Sequence, residues 1–156
     1  MTRIFIVFIV PFILQMSAGQ TSAETAQELA ASRQAYVEAF TAIQRGRSTD
    51  YEQLRNDLDQ YPLSLYLDYY KLTGDPRNVR PADARVFISQ SADSPLPNRF
   101  LSVYLNTAGR DRRWADFLQV KQDEPSDVAL QCYYLRARLA EGEKPVAWEG
   151  AERLWV

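Results

Sequence analysis

The chain contains no histidine, one cysteine and no surplus of basic charge. Without histidine there is no Ser-His-Asp or Cys-His nucleophile system and no histidine-ligated metal. A single thiol, Cys132, excludes an internal disulfide and any cysteine-built zinc cluster. With 18 Lys plus Arg against 20 Asp plus Glu, no electrostatic footprint for nucleic acid exists. Glycine numbers only six, and no glycine-rich phosphate loop can be assembled from them. Long apolar runs are also missing after the first residues. Apolar side chains nevertheless make up 46% of the 156 residues, enough for one domain with its own core.

Residues 1–23 read as a secretory signal peptide. Arg3 supplies the positive start, and Ile4 to Leu14 is an uncharged apolar run. Ser17-Ala18-Gly19 and Thr21-Ser22-Ala23 offer small residues for cleavage. The run is shorter than the ~20 residues that span a bilayer, and Pro11 interrupts it. Removal of the leader would leave residues 24–156 as an exported chain with no stable membrane insertion.

The remainder reads as helix after helix. Leu29, Arg33, Tyr36, Phe40 and Ile43 share one helical face, closed by Gly46. Thr49 and Glu52 have the spacing of a capping box, ahead of Tyr51, Leu54, Leu58 and Tyr61. Pro62 breaks that helix and opens one with Leu63, Tyr66 and Tyr70 on its apolar face and Leu67 as a further candidate for it. Pro81 starts a helix carrying Ala84, Phe87, Ile88 and Ser91. After Pro95 and Pro97 comes a stretch with Phe100, Leu101, Tyr104, Leu105 and Ala108, for which Gly109 is the expected end. Trp114, Phe117, Leu118 and Lys121 define a further helix. Ser126 is the expected cap of the next, with Leu130, Tyr133, Tyr134, Ala137 and Ala140. Pro145 opens the last, which carries Trp148, Ala151, Leu154 and Trp155.

About eight short helices joined by short loops specify an all-α chain. The expected architecture is a right-handed α-superhelix, or solenoid, of short antiparallel helix pairs. No strict sequence repeat is visible, and the tetratricopeptide pattern does not fit. Leu154-Trp155-Val156 is apolar, without a polar capping element, so the superhelix is expected to be incomplete at its C-terminus.

No constellation declares chemistry. Asp57 and Asp59, and Asp123 and Glu124, read as solvated surface. Cys132 reads as a small buried residue of a helix, and Trp114, Trp148 and Trp155 as core. Tyr69 sits off the face shared by Tyr66 and Tyr70 and is a groove candidate. The run Arg110-Asp111-Arg112-Arg113 sets cations at a helix start, against the helix dipole, which points to salt bridges with a neighbouring helix or to binding of an anionic polymer.

Four segments carry a family resemblance. Tyr61-Pro62-Leu63-Ser64-Leu65-Tyr66-Leu67-Asp68-Tyr69 is similar to the Tyr-Pro-Leu-x-Pro-Tyr-Leu-x-Tyr segment of the soluble lytic murein transglycosylases. Asn98-Arg99-Phe100-Leu101 to Leu105, followed by Trp114 and Phe117-Leu118, resembles their next segment. Leu130 to Leu139 resembles their Leu-x-Cys-x-x-Leu-x-Ala helix, and Ala147 to Trp155 their Ala-x-x-x-Ala-x-x-Leu-Trp. Leu65 departs from a frequent proline, and Tyr104 stands near a usual tryptophan.

The resemblance implies a periplasmic enzyme that cuts the β-1,4 bond between N-acetylmuramic acid and N-acetylglucosamine in peptidoglycan, leaving a 1,6-anhydro end without using water. A glutamate in a C-terminal lysozyme-like domain would act as acid and then base. No position here matches that glutamate or its Glu-Ser motif, so no catalytic, cofactor or metal residue is assigned and no substrate-contacting residue is named. The chain is expected to be the N-terminal part of the strand-orienting superhelix, inactive alone. It would bind peptidoglycan glycan strands, with the catalytic domain missing from it. The alternative is a non-enzymatic periplasmic helical-repeat adaptor that binds a protein partner.

Overall fold

The computed structural model describes residues 18–155, which form eight α-helices and, among the described residues, no strand. They are α1 (Ala18–Gln44), α2 (Ser48–Asn56), α3 (Ser64–Gly74), α4 (Pro81–Gln90), α5 (Leu96–Arg110), α6 (Trp114–Val120), α7 (Val128–Ala140) and α8 (Lys144–Trp155). The expected leader, 1–23, lies outside the described residues as far as residue 17. No helix of the described residues is long and apolar enough to cross a membrane.

Helices adjacent in the chain pack together as α1/α2, α4/α5, α5/α6, α6/α7 and α7/α8. Alternate helices also touch: α1/α3, α3/α5 and α5/α7 in one row, α4/α6 in the other. Two rows of helices, each contacting its neighbours, are the mark of a superhelix built from helical hairpins.

A repeat invisible in the sequence appears in the hairpin turns. Gly46, Arg112 and Gly142 all have left-handed φ, at 66°, 57° and 89°. At each, the amide bonds back to the carbonyl three residues earlier: Ile43, Gly109 and Leu139. The following amide reaches Ala42, Ala108 and Arg138, five residues earlier. This is one helix-ending motif used three times, and α2, α6 and α8 each begin two residues after it. Arginine at the second of these positions bears the strain that glycine avoids. Arg112→Gly should therefore raise stability by about 0.5–1 kcal/mol, read as a higher urea midpoint.

The main core lies across α4–α7, around Phe87, Phe100, Tyr104 and Phe117. Phe87 meets Phe100 edge-on, with ring centroids 5.0 Å apart, and Phe100 continues to Tyr104 at 5.8 Å. A smaller cluster of Ala39, Ala42, Tyr51, Leu58 and Leu67 joins α1 to α2 and α3. Only the second half of the α1 stripe is used: Tyr36, Phe40 and Ile43 pack, while Leu29 is exposed.

Several local expectations are corrected. The Thr49–Glu52 capping box does not form, because α2 starts at Ser48 after Arg47 and has no side-chain cap. That helix ends at Asn56, and turns carry the chain through buried Leu58 to Tyr61. Pro62 disfavours helical backbone at Tyr61, and helix does not resume until Ser64. On α3 the core residue is Leu67, whereas Leu63 and Tyr70 are exposed. The cap of α7 is Asp127, not Ser126; its carboxylate accepts the Leu130 amide at 3.0 Å. An anion there also suits the helix dipole. Cys132 is exposed. Trp148 and Trp155 are 63% and 93% exposed, so only Trp114 of the three packs on the core.

Gly109 does not end α5. It lies buried within the helix, and a Cβ there would sit 2.3 Å from the Tyr133 ring of α7. Gly150 of α8 meets Leu135 equally closely, but at a terminal methyl that can turn away. Gly109→Ala should therefore destabilise by about 1–3 kcal/mol through overpacking. Gly150→Ala should be close to neutral, because the gain in helix propensity offsets a small side-chain shift. Paired urea titrations check the contrast.

Candidate functional site

An open groove of about 750 Å³ lies between α2, α3 and α4. Its floor is a fixed polar knot. Tyr51 on α2 donates its hydroxyl to Asp68 Oδ1 on α3 at 2.5 Å. Arg55, one turn further along α2, grips both oxygens of the same carboxylate, with Nε and Nη2 each at 2.9 Å in their best contacts. Arg55 also reaches Asp59. Helical spacing brings Tyr51 and Arg55 to one face, and Asp68 meets them from α3 next to buried Leu67. A planar guanidinium on a carboxylate is a strong, directional pair.

The electrostatics follow from that burial. Desolvation, then the Asp68 carboxylate, raises the Tyr51 phenol above its ordinary 10.0. The bond to Asp68 raises Arg55 further into its charged range. In the main core, burial pushes Tyr104 up to about 12. Both phenols are held neutral by the folded state. Their contribution is complete below pH 10, where unfolded tyrosine stays protonated, and is lost as pH rises above it. Urea midpoints should hold up to about pH 9 and fall by pH 11. The fall should be shallower in Tyr51→Phe.

The rim of the groove is charged and exposed. Lys71 of α3 pairs with Glu52 of α2 and sits 4.5 Å above the centre of the Tyr51 ring. Arg80 forks onto Asp83 at the start of α4, with both bonds at 2.8 Å. Arg80 holds the Asp83 carboxyl below its ordinary range, and Lys71 adds to the effect from across the groove.

The features singled out from sequence fall elsewhere. Tyr69 is half-buried against Phe87, 6.5 Å between rings, and lines no part of the groove. The arginine run does not bridge its cations to a neighbouring helix: its one cation pair among the described residues lies at the start of α6, and its link to another element runs through the acid Asp111 and a backbone carbonyl. Asp111 pairs with Arg77, and Arg113 binds Asp116 and the Pro76 carbonyl on the α3–α4 connection. Asp59 and Glu124 are surface partners of Arg55 and Arg153. Asp68 organises the groove floor although no motif chemistry marks it in the sequence. Its signal was present: it is the single charge in the otherwise uncharged run from Gln60 to Tyr70. A second, apolar groove of about 290 Å³ lies between α7 and α8, beside Cys132, Trp148, Leu154 and Trp155.

No protein-family profile matches the chain. The soluble lytic murein transglycosylase of Salmonella typhimurium is 27% identical over 94% of it, and that of Escherichia coli K12 is 27% identical over 87%. The fold agrees: the crystal structure of the 70-kDa soluble lytic transglycosylase of Escherichia coli superposes over 81% of this chain with a TM-score of 0.69 and 28% identity. The complex of that 70-kDa enzyme with bulgecin A matches equally well. Over most of its length the chain is similar, in sequence and in fold, to soluble lytic murein transglycosylases. It spans about a quarter of the length of the Salmonella relative and about a fifth of the Escherichia coli one. Several residues in the segments that carry the resemblance pack in the core: Leu67, Phe100, Phe117, Leu130, Ala137 and Ala147 are all buried, whereas Leu63, Cys132 and Trp155 are exposed.

Proposed function

We propose that this chain supplies the N-terminal helical superhelix of a periplasmic lytic transglycosylase. The whole protein would cleave the MurNAc–GlcNAc β-1,4 bond of peptidoglycan to a 1,6-anhydro product. Residues 1–23 would direct export, and residues 24–156 would help orient the glycan strand. The chemistry would belong to a catalytic domain that these residues do not include, and the chain alone would be inactive, with no cofactor.

One observation carries the reading. Sequence and fold agree with the same relatives over most of this chain, while covering only a fifth to a quarter of theirs. The groove and its ion pairs add a polar surface suited to handling polymer, with no group poised as an acid.

A chimera tests it. The matched segment of the Salmonella enzyme is replaced by residues 24–156, and release of 1,6-anhydro-muropeptides from sacculi is followed by mass spectrometry. Retained release is expected. A folded chimera with no release, although the unmodified enzyme is active, would overturn the reading.

A further inference from the structure

We propose that the α2–α3–α4 groove binds the charged peptide stem of peptidoglycan rather than its sugar chain, a proposal that rests on the murein reading above. Three observations converge on it. The floor has no capacity to spare, since Asp68 is saturated by Tyr51 and Arg55. A ligand must therefore be recognised by the rim. There the side chains of Glu52, Lys71, Arg80 and Asp83 are between 38% and 77% exposed, two of each sign. Exposed pairs of this kind hold each other weakly and exchange readily for a better partner.

A ligand bearing both carboxylates and an ammonium group offers a partner to each sign of charge on the rim. A neutral sugar cannot repay the separation of the charges. Stacking, the usual alternative for a sugar ring, is not offered either. The Tyr51 ring lies under the Lys71 ammonium, and Phe87 is buried against Phe100. At about 750 Å³ the groove is in the range that accepts a small ligand. Short peptides with free carboxylates and an amine are the part of murein with that chemistry.

The test uses the full chain and three probes: intact sacculi, sacculi stripped of peptide by an amidase, and the released peptide stems as competitors. Binding to intact sacculi, its loss on stripped glycan and competition by free stems are expected. The Lys71→Gln/Arg80→Gln and Glu52→Gln/Asp83→Asn double variants should each bind on the order of tenfold more weakly, with the loss steepest at low salt. Their unfolding curves should match the parent, and Arg153→Gln, on α8, should bind normally. Equal binding to stripped glycan, or parent-like binding by both double variants, would overturn the groove assignment and leave the murein reading standing. No binding to intact sacculi would overturn both.

Discussion

Phe100→Ala should cost about 3–5 kcal/mol, the usual penalty for emptying a fully buried aromatic site. Phe100 has no exposed surface and links Phe87 of α4 to Tyr104 of its own helix. It therefore ties two helices of opposite rows together, and a cavity there cannot be filled without moving α4. Domains of this size carry only ~5–15 kcal/mol of stability, so the variant should sit near the edge of folding. A melting temperature lower by roughly 10 °C, or loss of a cooperative transition, is the expected readout. Val86→Ala, on the exposed side of α4, should change stability by no more than about 0.5 kcal/mol. If both substitutions behaved alike, the placement of the core would be wrong.

Asp68→Ala is the second large effect. It strips Tyr51 of its acceptor and leaves Arg55 with only its exposed partner Asp59. The Arg55 and Asp68 side chains are 19% and 21% exposed, so solvent shields part of the loss. A cost of about 2–3 kcal/mol follows from removing one side of a largely buried, charge-assisted network. Tyr51→Phe alone should cost about 1 kcal/mol. The double variant should cost less than the sum, because the Tyr51 bond is already lost once Asp68 is gone. Additive losses in a urea double-mutant cycle would mean that the two groups do not act as one network.

The all-α class and the order of the helices were legible in the sequence because they rest on periodicity and on proline. Pro81 and the 3–4 spacing of Ala84, Phe87 and Ile88 are local signals, and the structure follows them. What the sequence misreported depends on partners far along the chain. Gly109 reads as a helix terminator until Tyr133 is placed against it. Cys132 reads as core until the exposed side of α7 is known. Trp148 and Trp155 lie on an apolar face, but that face has no neighbour among the described residues.

The groove was the least legible part. Its charged residues come from three helices, each of which alone looks like an ordinary solvated face. Only the Asp68 carboxylate, isolated in an uncharged run, hinted at a buried pair. The hairpin repeat was hidden for a related reason: its conserved element is a backbone turn, occupied by glycine twice and by Arg112 once.

The proposed role requires this chain to hold murein without cutting it. The most direct measurement mixes the purified chain with intact sacculi, sediments them, and analyses the pellet for protein and the supernatant for soluble sugars by mass spectrometry. The chain should pellet with the sacculi, and no 1,6-anhydro-muropeptides should appear. Release of anhydro products, or a chain that remains wholly in the supernatant, would contradict it.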